Sequence, residues 1–512
     1  MNLSKKHLFF LLLVLSIFGL AIKFIVLWSS STAFTYDQAR DLLDLREMMI
    51  FNKPRLIGAN TSLHGVFYGP FWYWFCFPFY LLTGGHPASN LMPLFLLSFL
   101  MPLIFFWLVE DKKLGFVLAA IYIFSRTFFS HSIVALNTNP MVFIIPLILL
   151  FLAKFYSSEK GIFLWLAMFV MAISFHFEPI IGLFLIPIFL LTIFFLKKGK
   201  LAWKQKRAFV AFFVPFIPQI IFEFRHQFLQ TKALLNLLTG KGSSLTPASG
   251  GLVHRLFDRL RVFQDVWVNQ SGGIILATFF LILIVFLFYQ LYYQKQQKKE
   301  VKFLFLLCFF SLVMVFIGFV LYPFALWPWY LGTVDALMLT LIGLGIYSLS
   351  ILRKNYSLLA LGVLMVFIFL NLFKYLPLSI EQVFSPDPAN LRTRLKIVDL
   401  IYDDNKDKGF KVFTFAPYVY DYPYQYLIWW RAKTKYHYLP EEFFYLSNQP
   451  KYVAAKEEVD KLIPSKKSEC DYLIIEPFES QEKWFYEWRG NFPEAQKIWE
   501  IGRTRVEKLC PG

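Results

Sequence analysis

The sequence predicts an α-helical polytopic membrane protein that ends in a small soluble α/β domain, and three observations carry that prediction. Of 512 residues, 57% are hydrophobic and 20% aromatic against 17% charged, with a mean hydropathy of +0.53. Apolar runs long enough to cross a hydrocarbon core of about 30 Å recur through the first three quarters of the chain. Beyond Lys374 they stop, and mixed charged and aromatic sequence follows. Two domains are expected, a transmembrane domain over 1–376 and a soluble one over 377–512. The net charge of +17 gathers in basic clusters between the apolar runs. Such clusters suit cytoplasmic loops facing anionic membrane lipids, and they argue against nucleic acid as a partner. Of the four cysteines, Cys76 and Cys308 lie in apolar runs; only Cys470 and Cys510 could meet in one soluble domain, and no structural zinc site is indicated.

Taken in order, Lys5 and Lys6 precede an apolar run from His7 to Trp28, interrupted only by Lys23, which can snorkel to an interface. The N-terminus is therefore expected in the cytoplasm. A cleaved signal peptide is the rival reading, helped by Ser29 to Ser31, but the run is longer than a usual signal core and ends without a small-x-small site. Either way Thr35 onward faces outside. Further apolar segments occupy 66–83, 89–109, 114–130, 139–157, 161–177, 179–197, 208–224, 273–293, 302–323, 333–352 and 356–376. The positive-inside bias places Lys112-Lys113, Lys160, Lys197 to Arg207, Lys295 to Lys302 and Arg353-Lys354 in the cytoplasm. All twelve apolar segments cannot cross and meet that pattern. Segment 66–83, with Gly69-Pro70, Pro78 and a wealth of Trp, Tyr and Phe, has the composition of a re-entrant or juxtamembrane piece. About eleven spans remain, which puts loops 29–88, 131–139 and 225–272, and the C-terminal domain, on the extracytoplasmic side. In the last of those loops, Val253, Leu256, Leu260, Phe263 and Trp267 follow helical spacing and predict a helix on the membrane surface. The tail reads as strands at Lys411 to Phe415 and Tyr472 to Glu476, with helices over Leu391 to Asp403 and Ala454 to Ile463.

Residues suited to chemistry gather on the external side. In a helix Asp37 and Asp41 are four residues apart and Arg40 is three from Asp37, so the three share a face, with Asp44 one turn further on. Leu42, Leu45 and Met49 give the neighbouring face an apolar surface to lay on a membrane. Charges that merely pair with one another are the structural alternative. His64, in the stretch Gly58 to Gly65, reads as a ligand for phosphate or sugar oxygens or as a plain turn residue, and Tyr68 leads into Gly69-Pro70. Asn139 before Pro140 is expected to cap a helix, a role Asn137 does not share. His176 and Glu178 put an ionisable pair at a helix-to-helix turn, costly near a membrane unless the two bond to each other or serve a function. Arg225-His226 and the turn Trp327-Pro328-Trp329-Tyr330 either grip a lipid phosphate or anchor at the interface.

Four motifs, in their order, resemble the GT-C glycosyltransferases of the ArnT-like and protein-mannosyltransferase-like group, glycosyltransferase family 39 among them. They are Asp37-Gln38-Ala39-Arg40-Asp41, Leu56-Ile57-Gly58 to Ser62, Gly69-Pro70 followed by aromatics and Pro78, and Asn137-x-Asn139-Pro140. The likeness covers roughly the first 380 residues in architecture, and the tail is similar to that of several members. The resemblance implies a hexosyl- or pentosyltransferase that moves a sugar, with inversion, from a polyprenyl-phosphate donor to a glycolipid, cell-surface polysaccharide or protein acceptor at the outer face. It implies Asp37 as the acidic residue that orients or deprotonates the acceptor hydroxyl, with Arg40 and Asp41 beside it. His64, Tyr68, Asn137, His176, Glu178, Arg225, His226 and Tyr330 are the corresponding candidates for holding substrates. No cofactor is assigned, and a divalent cation is compatible with such chemistry without being indicated. The rival from another class is a transporter or flippase of lipid-linked sugars, which would place ionisable residues near the bilayer midplane rather than at one interface.

Overall fold

The computed structural model describes residues 4–61, 63–195, 206–238, 248, 250–293, 299–352, 356–385, 387–417, 420–447, 452–479 and 481–510. Residues 197–205 and 295–298 of the basic clusters, together with Arg353-Lys354 and Ser62, lie outside the described residues. The first helices are α1 (Lys5–Trp28), α2 (Tyr36–Phe51), α3 (Phe71–Leu82), α4 (Met92–Leu108), α5 (Lys112–Phe124), α6 (Arg126–Ile133), α7 (Met141–Ser158), α8 (Gly161–Phe177) and α9 (Pro179–Phe195). Among the described residues eight helices are long and apolar enough to cross a membrane, or nine if a bent pair forms one span. The chain divides into two compact units, each drawn from three stretches of sequence. The first comprises Met1–Lys23, Arg55–Trp72 and Leu94–Pro377; the second comprises Phe24–Pro54, Tyr73–Pro93 and Leu378–Gly512.

In the first unit the helix Gly332–Leu352 is central: nearly all of the apolar stretch within Pro328–Ile351 is buried, whereas most of Ser357–Lys374 is not. Small residues allow its close packing. A Cβ at Gly343 would stand 2.6 Å from Leu118 on α5. The Tyr122 hydroxyl of α5 donates to the Ala336 carbonyl at 2.8 Å, a polar bond that fixes the register of two apolar helices. Two of the apolar segments depart from straight spans. Tyr68-Gly69-Pro70 stays in a loop, so α3 has only 12 residues and is about 18 Å long, short of a hydrocarbon core of about 30 Å. Segment 114–130 breaks at Ser125, whose extended backbone separates α5 from α6 by 57° while its side chain caps Phe128 N.

The predicted amphipathic helix is Leu252–Ser271, and its apolar face divides. Phe263 and Trp267 are buried, whereas Leu252, Val253, Leu256, Phe257 and Leu260 are exposed. Arg259, buried against the expectation for a charged side chain, donates to the carbonyls of Phe319 and Phe324.

The second unit is built on a five-stranded sheet of β1 (Gly409–Phe415), β2 (Glu442–Phe444), β3 (Ser468–Ile475), β4 (Lys497–Ile501) and β5 (Thr504–Leu509), in the order β2-β1-β3-β5-β4. β1 pairs parallel with both β2 and β3, while β5 runs antiparallel to β3 and to β4. Cys470 and Cys510 form a disulfide that ties β3 to the end of β5. Of the predicted helices, Leu391–Asn405 forms with Asn390 as its cap, its side chain accepting from Arg392 N. The other shrinks to Lys456–Asp460, because Ala455 takes a left-handed φ of 50° and bars an earlier start.

This unit also fixes how α2 begins. Phe34 N donates to the Ala389 carbonyl, and Leu391 N to that of Thr32. The fully buried Arg394 donates to both carboxylate oxygens of Glu476, at 2.8 and 3.1 Å, and to the carbonyl of Phe34. Tyr424 adds its hydroxyl to the same carboxylate at 3.1 Å.

Candidate active site

The acidic cluster lies on α2, within the second unit. Thr35 caps the helix by accepting from Gln38 N, and Asp37 occupies the first turn, where the helix dipole favours a carboxylate. Arg40 stands between the two acids. Its guanidinium donates to Asp37 Oδ1 at 2.6 Å and to Asp41 Oδ1 at 2.9 and 3.2 Å. Burial disfavours the charge on Arg40, but Asp41, then Tyr73 and Asp37, outweigh it and hold its pKa well above the ordinary value. The acids are not equivalent: the Asp37 side chain is 45% exposed, that of Asp41 0%. Asp37 is therefore the carboxylate that solvent or a substrate reaches, and Arg40 engages only its Oδ1. Tyr73 completes the cluster, donating to Asp44 at 2.6 Å and lying 3.4 Å from Asp41 Oδ1.

The apolar face of α2 corrects the sequence-based expectation. Leu42 and Leu45 are fully buried, α2 packing against the helix Tyr422–Arg431, so protein rather than lipid covers that face. Arg46 lies within it, its guanidinium 5.1 Å from the centre of the Trp429 ring.

In the first unit, residues of the loop before α3 meet the turns of later helices. Gly58 to Tyr68 folds back on itself, with Gly58 N bonded to the Tyr68 carbonyl and Tyr68 N to that of Ala59. His64 and Gly65 form its tip, His64 exposed and Gly65 at a φ of 82°, which is the turn reading of this stretch. Phe67 N donates to Gln230 at 3.0 Å, and the Phe67 ring lies 5.6 Å from Phe222. His226 stacks on Phe222 at 4.0 Å and directs Nδ1 to its carbonyl, while Arg225 is exposed at the end of the helix Ile217–Arg225. His176 is wholly buried beside Phe71 and Phe216, and neither ring nitrogen makes a hydrogen bond, the Pro215 carbonyl facing it outside bonding geometry. Glu178 is buried with Oε2 unpartnered. The mutual His176–Glu178 bond, one of the two sequence readings of this turn, does not form.

Asn139 is not the cap of α7 either. That position falls to Pro140, and Asn139 instead accepts at Oδ1 from the His131 ring at 2.9 Å and donates to the Val134 carbonyl at 2.6 Å. His131 continues to Asp335 at 3.1 Å, and Gln270 donates to Asp335 at 2.7 Å. A tertiary partner has won over the local one. Asn137 is buried with its amide nitrogen unpartnered, and Tyr330 is buried one turn before Asp335. Trp327 and Trp329 stack on each other and stay exposed, as anchors would. Among the described residues no group of three His, Cys, Asp or Glu side chains could hold a metal ion.

No family model matches the chain, and no curated protein matches it in sequence. Solved structures do match. Two structures of ArnT from Cupriavidus metallidurans, one bound to undecaprenyl phosphate and one in the apo state, each align with a TM-score of 0.59 over 96% of this chain and 97% of their own. The fold is that of ArnT. At 11% identity the likeness extends to the fold alone, and it takes in both the helical part and the C-terminal sheet. The ArnT-like fold therefore carries here a helical, multi-pass membrane protein with a C-terminal α/β domain.

Within this ArnT-like chain, sequence reasoning missed Tyr73, Asp335 and Gln270, all of which act across long sequence separations. It noted Gly69 as a loop glycine, and the structure gives that residue a sharper reason: a Cβ there would fall 1.7 Å from His176 Nδ1. Gly69→Ala should lower stability by about 1–3 kcal/mol, the usual cost of overpacking, read as a fall in melting temperature in nanodiscs. Adding His176→Ala should restore most of the loss. A Gly69→Ala protein that melts like the parent would contradict the contact.

Proposed function

We propose that the chain is an inverting glycosyltransferase that moves a sugar from a polyprenyl-phosphate donor to a glycolipid, cell-surface polysaccharide or protein at the outer face of the membrane. The observation that carries this reading is the half-exposed Asp37 carboxylate, held by Arg40 and backed by the buried Asp41, in a chain with the ArnT fold. In the reaction the acceptor oxygen forms a bond to the anomeric carbon while its proton passes to Asp37. The bond from that carbon to the phosphate oxygen breaks, and its electron pair leaves with the polyprenyl phosphate. Asp37 Oδ2 is the oxygen left for the acceptor, and Arg40 on Oδ1 orients the carboxylate. The leaving phosphate also calls for a cationic or polar group, and Arg225, His226 and His64 are the candidates that the sequence offers for it. ArnT of the same fold has been seen with undecaprenyl phosphate, which supports this donor class. The disulfide Cys470–Cys510 supports an oxidising, extracytoplasmic location for the tail.

The test is the fate of the donor. With radiolabelled polyprenyl-phosphate sugars in vesicles, free polyprenyl phosphate should appear in step with label on the acceptor. Label that changes leaflet with its sugar–phosphate bond intact would make the chain a flippase and end the transferase reading.

A further inference from the structure

The second unit contains a cavity that the transfer chemistry does not use. It measures about 520 Å³, within the range of small-molecule sites, and opens where β1 and β2 end: Phe415 leaves β1 into its wall. β1 connects first to a neighbour on one side, β2, and the chain then returns to β3 on the other. Open sheets leave a ligand crevice at the carboxyl ends of strands where the order reverses in this way.

The opposite wall is the helix Glu482–Arg489 with its flanks. Gln481, Trp484, Trp488 and Asn491 recur at spacings of three, four and three, and so fall on one face. Trp488 forms the floor. It is buried against Phe415, 5.4 Å between ring centres, and its indole N–H is already bonded to the Tyr445 carbonyl at 2.7 Å. Trp484 stands at the rim, 62% exposed. Gln481 makes no capping bond, and Asn491 directs its amide nitrogen to two backbone carbonyls, which leaves its own carbonyl oxygen for another partner. Glu487 is largely exposed, with Lys483 at the limit of contact, 3.9 Å away. No lysine or arginine is among the described residues that line the cavity, so an anion finds no counter-charge there. What the wall offers is a flat aromatic face beside planar amide and carboxylate groups.

We propose that this cavity binds a saccharide, with one pyranose ring stacked on Trp484 and its hydroxyls bonded to Gln481, Glu487 and Asn491. A sugar ring has an apolar C–H face and a rim of hydroxyls, which matches an exposed indole next to convergent polar groups. The site rests on its own geometry and stands whether or not Asp37 is the base.

The experiment uses the full chain in nanodiscs free of glycoside detergent, whose headgroup would compete. Saturation-transfer NMR is recorded with maltotriose, cellotriose, chitotriose and mannotriose. At least one trisaccharide should receive saturation, strongest on the ring protons of one face. Trp484→Ala, safe for folding because the ring is mostly exposed, should weaken that binding about tenfold or more, and Trp484→Phe should keep part of it. Failure of all four sugars to take up saturation, or a signal that Trp484→Ala leaves intact, overturns the assignment.

Discussion

Asp37→Asn should slow sugar transfer by about 10²–10⁴-fold, the contribution that general-base catalysis makes. The substitution keeps the size of the side chain and the oxygen that accepts from Arg40, but removes the charge and the capacity to take a proton. Donor binding should persist, so the loss should fall on turnover rather than on the apparent KM for the donor. Asp41→Asn makes the sharper comparison. Asp41 is wholly buried on Arg40, so its loss should act by releasing the guanidinium, with a smaller fall in rate and a fall in stability. Single-turnover rates with a labelled donor distinguish the two outcomes. Turnover of Asp37→Asn within a few-fold of the parent would move the base to another residue.

Glu476→Gln should destabilise the second unit by about 3–5 kcal/mol, the cost of breaking a buried ion pair and leaving one charge without its partner. Arg394 is fully buried and bonded to Glu476 and to the Phe34 carbonyl, beside the ring of Tyr424, so a neutral amide at 476 removes the carboxylate charge that compensates the guanidinium there. Urea titration followed by pulse proteolysis of the soluble region reads the change. The double substitution Arg394→Met with Glu476→Met should recover most of it, because the charge that needs compensation is gone. A loss below about 1 kcal/mol for Glu476→Gln would place the pair among surface-like bridges.

These two sites differ in how well the sequence discloses them. Asp37, Arg40 and Asp41 were legible because their relation is local: helical spacing alone puts them on one face, and the structure adds only which acid is exposed. The membership of Tyr73 was not, since it reaches Asp44 across 29 residues and nothing in its aromatic surroundings marks it. Periodicity showed that Leu42 and Leu45 belong to one apolar face but could not say whether lipid or the helix Tyr422–Arg431 covers it. Asn139 misled because a capping residue and a hydrogen-bond partner for a distant histidine look alike in sequence. In the tail, β1 and β3 were legible as short strands, though not their central place in the sheet. β2 has three residues, and β4 is mostly exposed, so neither carries enough apolar pattern to be read. The hairpin of β4 and β5 did leave one trace, the two-residue loop Gly502-Arg503 with Gly502 at a φ of 63°.

The bonds that settle the start of α2 have a bearing on the order of events during synthesis. Arg392 and Arg394 reach back 363 and 360 residues to the carbonyls of Ser29 and Phe34, and Glu476 must also be present to neutralise Arg394. At roughly 5–20 residues per second, translation needs tens of seconds to travel from α2 to that glutamate. Throughout that interval the segment before α2 has emerged while the groups that hold it do not yet exist. A nascent or prematurely terminated chain thus lacks the bonds from Arg392 and Arg394 that hold residues 29–34 ahead of α2, and only chains made beyond Glu476 have the full set. The entry into α2 is thereby one of the last features of the second unit to be fixed.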